Sequence, residues 1–146
     1  MDIKKILYYF EANKTIEKGT DLEHVLSKGC FSDKNNEMIL DASLLLSFAN
    51  EDNYKIIQER IVYINEQIIS KNNGIVSVHL NVKSLNLNDL YKHYNFIQNI
   101  CILLQKDYPN VLEKCYLYNT SPIFSYIFQI ISVFLELETR NKIIIV

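Results

Sequence analysis

The sequence predicts an α/β fold: a mixed, largely parallel sheet with helices over one face and an unusually apolar helix over the other. The first observation behind this prediction is that, from Glu51 onward, helical patterns alternate with short β-branched runs. That alternation is typical of parallel strands joined by right-handed crossovers. The second observation is that residues 123–135 form a helix-length run with almost no polar face. Such a helix is buried on most sides or faces lipid, so we expect it to cover the second face of the sheet.

Length and composition indicate one globular domain, which we expect to span residues 1–146. Hydrophobic residues make up 49% of the chain and charged residues 22%, which is sufficient for a core without covalent crosslinks. The net charge of −2, with no basic cluster, argues against nucleic acid as a partner. The three cysteines form no CxxC pair, so we expect reduced thiols rather than disulfides or a zinc site. The start of the chain has no signal-peptide pattern, which predicts a cytoplasmic protein.

Residues 1–50 contain the least regular pattern. The segment Lys5–Phe10, KILYYF, is rich in β-formers and favours a strand. Thr20-Asp21-Leu22-Glu23 fits a capping box that opens a short helix, and Gly29 is suited to close that helix. Residues 38–48 fit either a strand followed by a turn or a helix, and the pattern does not separate these alternatives.

The middle of the chain predicts a helix, a strand and a second helix. Isoleucines recur at helical spacing from Ile57 to Ile68, and residues 71–74, KNNG, end that helix. Residues 75–80, IVSVHL, predict a short buried strand on which His79 is a hydrogen-bonded core or pocket histidine. A second apolar stripe from Leu87 to Leu104 predicts a helix that ends near Pro109, because proline disfavours helix at the residue before it. His93, on that helix, is predicted to be exposed.

The last third predicts strand, helix and strand. Residues 115–118 and 142–146 favour strands, and Pro122 suits the first position of the helix between them. Ser125, Gln129, Ser132 and Glu136 form one thin polar stripe on this helix. A bilayer span needs about 20 apolar residues, and the uninterrupted run after Pro122 is too short, so no transmembrane helix is expected.

Motifs for catalysis or cofactor binding are not visible in the sequence. The chain contains no P-loop, no GxGxxG and no GxSxG pattern, and no cysteine or carboxylate is spaced with a histidine to suggest a metal site. No nucleophile, base and orienting group can be assembled. We therefore expect a protein without catalytic residues, metal or cofactor.

Four segments in the C-terminal half, in their order, resemble motifs of one known family. Tyr108-Pro109 followed by Leu112-Glu113-Lys114 is similar to that family's "YPE-R-hydrophobic-x-K" turn, and residues 115–122, CYLYNTSP, resemble its strand ending in Asn-Ala-Pro. Residues 131–135, ISVFL, resemble its "IKPFL" helix end, and residues 139–143, TRNKI, match its T-x-x-K-I element. The chain thus resembles the CRAL-TRIO lipid-binding family, which includes phosphatidylinositol/phosphatidylcholine transfer proteins. The resemblance is clear over residues 74–146 and weaker over residues 1–73.

The resemblance implies a non-enzymatic lipid-binding module, with a lipid-filled cavity on the sheet face opposite the other helices and a gate helix at residues 123–135. The residues it places on the gate helix or in the pocket lining are Phe124, Ile127, Phe128, Ile131, Phe134, Leu135, Val76 and Val78. In phosphoinositide-binding members, the Thr and Lys of T-x-x-K-I help hold the head-group phosphate, which assigns that role to Thr139 and Lys142. A hydroxyl and an ammonium group both donate to phosphate oxygens. The implied partners are a phospholipid or other hydrophobic ligand and, transiently, a membrane surface, in lipid transfer or sensing.

The chain also departs from the family pattern. Asn110 replaces the glutamate after Tyr-Pro, and Val76 and Val78 occupy the positions of hydroxyl residues that line the phosphatidylcholine site, so phosphocholine recognition of that type is not expected. The sequence stops at Val146, before the family's usual last elements, and we expect the small N-terminal helical domain to be absent. A minimal member or an incomplete pocket is therefore expected. The alternative is a protein-interaction module that keeps the scaffold without lipid and binds a partner or a second copy.

Overall fold

The computed structural model describes residues 2–146, and within them a five-stranded sheet has helices on both faces. The strands are β1 (Cys30–Ser32), β2 (Met38–Asp41), β3 (Val76–Asn81), β4 (Leu112–Tyr118) and β5 (Ile143–Ile145). The helices are α1 (Ile3–Ala12), α2 (Leu22–Gly29), α3 (Ala42–Phe48), α4 (Tyr54–Lys71), α5 (Leu87–Lys92), α6 (Tyr94–Asp107), α7 (Phe124–Ser132) and α8 (Leu137–Arg140).

The sheet is mixed and largely parallel, as predicted. Its strand order is β1-β2-β3-β4-β5; β1 pairs antiparallel with β2, and every other pair is parallel. The helix pairs α3–α4, α5–α6 and α7–α8 connect successive parallel strands. The predicted alternation of helix and strand after Glu51 is therefore confirmed.

Side chains alternate between two faces along each strand. The inner face carries mainly aliphatic residues, namely Met38, Leu40, Val76, Val78, Leu80, Cys115, Leu117 and Ile143. The outer face carries Ile39, Ser77, His79, Tyr116 and Tyr118. The strand registers place Val78 beside Cys115 and His79 beside Tyr116, so each face is continuous across the central strands.

The apolar helix α7 lies on the inner face, together with α4 and α6. Its buried residues Phe124 and Ile127 pack in one cluster with Leu117 of β4. Ile57 and Ile61 of α4 pack with Val76 of β3, and Phe96 of α6 belongs to the same cluster. The sequence-based placement of the apolar helix over the other face was wrong, because Val76 and Leu117 share one face of the pleated sheet.

The outer face is covered by α1, where the sequence predicted a strand. Asp2 caps this helix by accepting a hydrogen bond from the Lys5 backbone N–H at 3.1 Å. Ile6 and Phe10, one helical turn apart, pack against Ile39 and Tyr118. The aromatic and β-branched residues of KILYYF therefore bury a helical face, and their strand propensity is overridden by tertiary packing.

In two other segments the structure decides between open alternatives or differs from the prediction. Residues 38–48 form both alternatives in succession, with β2 followed by α3. The predicted second helix is broken at His93, which separates α5 from α6. Its ring is buried, with Nδ1 2.6 Å from the Tyr54 hydroxyl, so the prediction of an exposed His93 was wrong.

No helix within residues 2–146 combines the length and apolarity that crossing a bilayer requires.

Candidate functional site

An apolar cavity of about 350 Å³ lies between the inner face of the sheet and the helices α4, α6 and α7. The sheet forms its floor through residues of β2, β3, β4 and β5. One wall is formed by α4 and another by α6, and α7 closes the third side through Phe124, Phe128 and Ile131. Most of the lining side chains are hydrocarbon, so the cavity suits a hydrophobic ligand.

Central strand residues remain partly accessible because they face this cavity. Val78 and Leu80 of β3 and Cys115 of β4 are only half-buried, although both strands are flanked by neighbours on each side. Protein interiors are normally packed as densely as organic crystals, so such positions are expected to be filled. Here the helices leave space above the sheet instead.

Two cysteines belong to this apolar lining. Burial raises the pKa of the Cys115 thiol to about 12 and that of Cys101 to about 11. Both groups therefore stay protonated at neutral pH, and a thiol rather than a thiolate is a poor nucleophile. They serve as small hydrophobic side chains in the cavity wall.

The structure brings together most, but not all, of the residues singled out from the sequence. Val76, Val78, Phe124, Phe128, Ile131 and Leu135 line the cavity. Ile127 is instead fully buried in the core beneath α7. Phe134 packs edge-on against Tyr94, with ring centroids 5.7 Å apart.

One end of the cavity is polar, and we call it the polar rim: Tyr108, Asn110, Glu136, Glu138, Thr139 and Lys142. The two segments of the rim are distant in sequence but meet because β4 and β5 are adjacent and parallel. The Cys115 backbone N–H donates to the Lys142 carbonyl at 2.9 Å. Thr139 and Lys142, predicted as a pair, therefore lie at the same end of the cavity, and the Lys142 ammonium is 3.4 Å from the Glu138 carboxylate.

Asn110 occupies a turn that favours its residue type. Its φ of 61° lies in the left-handed region, which asparagine tolerates better than most residues. The backbone conformation thus gives a structural reason for asparagine after Tyr108-Pro109.

Two residues of the candidate site were not predicted from the sequence. Gln105 of α6 donates to the Phe134 carbonyl at 2.9 Å and accepts from the Glu136 N–H at 2.8 Å, so it ties the segment after α7 to α6. Asn65 of α4 lines the cavity as a buried amide among isoleucines. Its position within the stripe Ile61, Ile64 and Ile68 was the available signal.

On the outer face, His79 is paired with two polar side chains. His79 is fully buried, with Nδ1 2.8 Å from the Tyr118 hydroxyl and Nε2 2.9 Å from Glu37. This confirms the prediction of a hydrogen-bonded core histidine. Within residues 2–146, no group of three or more His, Cys, Asp or Glu side chains is arranged to hold a metal ion.

Comparison with known proteins is consistent with this architecture. The family model described as the CRAL/TRIO domain matches residues 32–146. Among solved structures, the crystal structure of Sfh5 matches with a TM-score of 0.68 and 16% sequence identity over 94% of this chain. The chain spans about half of Sfh5, 52% of its length. A search of curated proteins finds no match.

The family match extends the sequence resemblance toward the N-terminus. The resemblance was clear only from residue 74, whereas the family model begins at residue 32, within β1. CRAL-TRIO proteins are generally lipid-binding transfer proteins. The match covers most of the chain, and the fold agrees with it: this protein belongs to the CRAL/TRIO domain family.

Proposed function

We propose that this chain is a single, non-enzymatic lipid-binding domain that holds the hydrocarbon part of a phospholipid or other amphiphile in the apolar cavity. The observation that carries the proposal is the incomplete cover of the inner face. Val78, Leu80 and Cys115 retain accessible surface in the middle of the sheet. Hydrocarbon in the cavity would bury that apolar surface.

The free energy of binding would come from removing the acyl chain from water. Each buried CH₂ contributes about 0.8 kcal/mol. The volume of about 350 Å³ lies near the lower limit of ligand pockets, which is roughly 300 Å³. One acyl chain therefore suits this cavity better than two.

The head group would lie at the polar rim, on Thr139 and Lys142. Both residues line that end of the cavity, and both match the T-x-x-K-I element of phosphoinositide-binding relatives. Lys142 is half-buried beside Glu138, and a phosphate could replace that carboxylate as its partner. Phosphatidylinositol is accordingly the phospholipid we propose, since Val76 and Val78 offer no hydroxyl to phosphocholine.

We propose α7 and the turn after it as the gate, which would open at a membrane surface. Residues 115–135 contain no charged side chain. Tyr126 and Val133 are largely exposed, and these groups would enter the lipid interface when the gate opens. This predicts a protein that is peripheral to membranes and resides in the cytoplasm.

Native mass spectrometry of protein purified without detergent tests this function. We expect one lipid per chain, and extraction into organic solvent should identify it. A labelled phosphatidylinositol should move between vesicles faster in the presence of the protein. An empty protein that takes up no lipid from vesicles would contradict the proposal.

A second candidate function is self-association through β5. This strand is at the edge of the sheet, and within the described residues its outer edge pairs with no strand. Ile145 and Val146 are exposed there, and exposed apolar edge strands pair readily with other chains. Light scattering during size-exclusion chromatography would reveal a homodimer, and an empty dimeric protein would favour this function over lipid binding.

A further inference from the structure

We propose that Asn65 determines ligand specificity: its side-chain amide donates a hydrogen bond to an acceptor oxygen of the bound amphiphile, of the ester or carboxyl class. This inference rests on the proposed lipid-binding function and adds a chemical requirement to it. The ligand would be selected for a polar oxygen inside the cavity, in addition to its hydrocarbon length and head group.

The observation is an unpaired donor in an apolar wall. Asn65 is only 5% exposed, and its side chain lines the cavity. Its amide nitrogen has no hydrogen-bond partner within residues 2–146 and is the only buried side-chain nitrogen or oxygen there without one. A buried donor without an acceptor destabilises a protein, so each such group in a folded chain needs an explanation.

The amide nitrogens of the buried residues Asn13 and Asn81 each have at least one acceptor, which sets Asn65 apart. The amide of Asn13 donates to the Lys28 carbonyl at 3.1 Å and to Asp41 at 3.0 Å. The amide of Asn81 donates to Asp41 at 2.9 Å. Elsewhere the chain thus supplies acceptors to its buried amides. At position 65, a leucine would continue the apolar stripe of α4 and would leave no polar group unpaired.

The position of Asn65 indicates which ligand oxygen it would reach. Its helical neighbours Ile64 and Ile68 pack with Val76 and Val111, which lie where β3 and β4 begin. The next residue, Glu66, contacts Tyr108 of the polar rim. Asn65 therefore lies toward the rim end of the cavity. In an amphiphile whose head group is at the rim, the oxygens nearest to the head group are the ester or carboxyl oxygens.

Two probes that differ only in the acceptor test this inference. Methyl nonanoate and n-undecane have equal backbone lengths, and only the ester carries a carbonyl. Their dissociation constants would be measured by displacement of a cavity-bound fluorescent dye from the full chain and from Asn65→Leu. We expect the substitution to weaken ester binding about tenfold relative to alkane binding, since a site built to pair a polar group discriminates against its absence.

A control and a second measurement keep the outcomes distinct. Ile61→Leu, one turn earlier in the same wall, should change both affinities by the same factor. Without ligand, Asn65→Leu should melt at a higher temperature than the unsubstituted chain, because the unpaired donor is gone. Equal changes for both probes in Asn65→Leu, or a lower melting temperature, would overturn the role of Asn65 alone. Failure of both probes to bind the unsubstituted chain would overturn the proposed function together with this inference.

Discussion

The two faces of the sheet differ in how completely their side chains are packed. On the outer face, His79 and Tyr118 are at most 1% exposed and hydrogen-bonded to each other. On the inner face, Val78 and Leu80, the neighbours of His79 on β3, keep accessible surface because they border the cavity. The open space is therefore confined to the inner face. The same strands are tightly packed on the outer face. The cavity therefore arises from the positions of the helices α4, α6 and α7 above the inner face.

The outer face also contains a buried polar network at the ends of the parallel strands. Asp41 accepts from Asn13 at 3.0 Å, from Asn81 at 2.9 Å and from the Leu44 N–H at 3.0 Å. Asn119 in turn donates to Asn81 at 2.9 Å. Satisfied networks of this kind specify a unique arrangement. The outer face is thus expected to determine stability, and the inner face to determine binding.

The largest effect should come from filling the cavity. Val78→Trp places an indole ring above the inner face, and we expect lipid binding to fall at least tenfold, measured as bound lipid by native mass spectrometry. The free energy of unfolding should stay equal or rise, because the ring buries apolar surface that the cavity leaves open.

The matched substitution on the outer face should instead lower the free energy of unfolding. Ile39 is fully buried, so Ile39→Trp overpacks a filled site and should lower the free energy of unfolding by about 3 kcal/mol. Urea unfolding measures both variants. Equal destabilisation by the two substitutions would contradict the difference between the faces.

The next effect concerns the polar network. Asp41→Ala removes the acceptor of two buried amides and the cap of α3, and we expect it to destabilise the chain by about 3 kcal/mol. Asp52→Ala, at an exposed position, is the control and should change the free energy of unfolding by less than about 0.5 kcal/mol. Lipid binding by the folded fraction should be unaffected.

The pH dependence of stability provides an independent check on Asp41. Burial raises the pKa of this carboxyl above its ordinary value of 3.8, although its hydrogen bonds oppose the shift. A raised pKa in the folded state favours the protonated form there. The stability that this group contributes is therefore fully present below pH 3.8 and is lost as the pH rises through the folded-state pKa. Relative to Asp41→Asn, the unsubstituted chain should lose stability over that interval; a pH-independent difference would contradict this account.

A smaller effect is expected at the attachment of the gate. Gln105→Leu removes hydrogen bonds to Phe134 and Glu136, and we expect a loss of about 1–2 kcal/mol in stability. Hydrogen exchange should accelerate locally at the Glu136 amide, which Gln105 protects. Gln98→Leu on the same helix is the control, and identical exchange at Glu136 in both variants would show that Gln105 does not hold this segment.

The smallest effect on stability is expected at Lys142. Its ion pair with Glu138 is partly exposed, and such pairs contribute less than about 1 kcal/mol. Lys142→Met should therefore leave the melting temperature nearly unchanged but weaken phosphatidylinositol binding severalfold. Lys114→Met, an exposed lysine on β4, should leave both quantities unchanged. Equal binding of phosphatidylinositol by the two variants would remove Lys142 from the head-group site.

Periodicity predicted the second half of the fold well and the first part poorly, for physical reasons. The isoleucine stripe of α4 buries one helical face, so local spacing and tertiary packing agree. In α1, aromatic residues with strand propensity pack as a helix through Ile6 and Phe10, and that contact depends on the distant residues Ile39 and Tyr118. The helix predicted from Leu87 to Leu104 is interrupted at His93, whose ring contacts the Tyr54 hydroxyl, a partner 39 positions away.

The residues of the candidate site could be predicted only where they belong to a recognisable motif. Thr139 and Lys142 were assigned by their resemblance to the T-x-x-K-I element of the CRAL-TRIO family, and the structure puts them at one end of the cavity. Asn65 and Gln105 carry no motif, since each is defined by what surrounds it in space. The volume of the cavity depends on how far three helices stand from the sheet, which no single sequence pattern encodes.

The most direct measurement of the central claim is a crystal structure of the protein loaded with a fatty ester that carries bromine near the end of its acyl chain. Anomalous scattering would locate the bromine independently of any assumption about the ligand. We predict a bromine peak in the space between Val78, Cys115 and Phe128. A structure in which protein side chains fill that space and the bromine lies elsewhere or is absent would contradict lipid binding in this cavity.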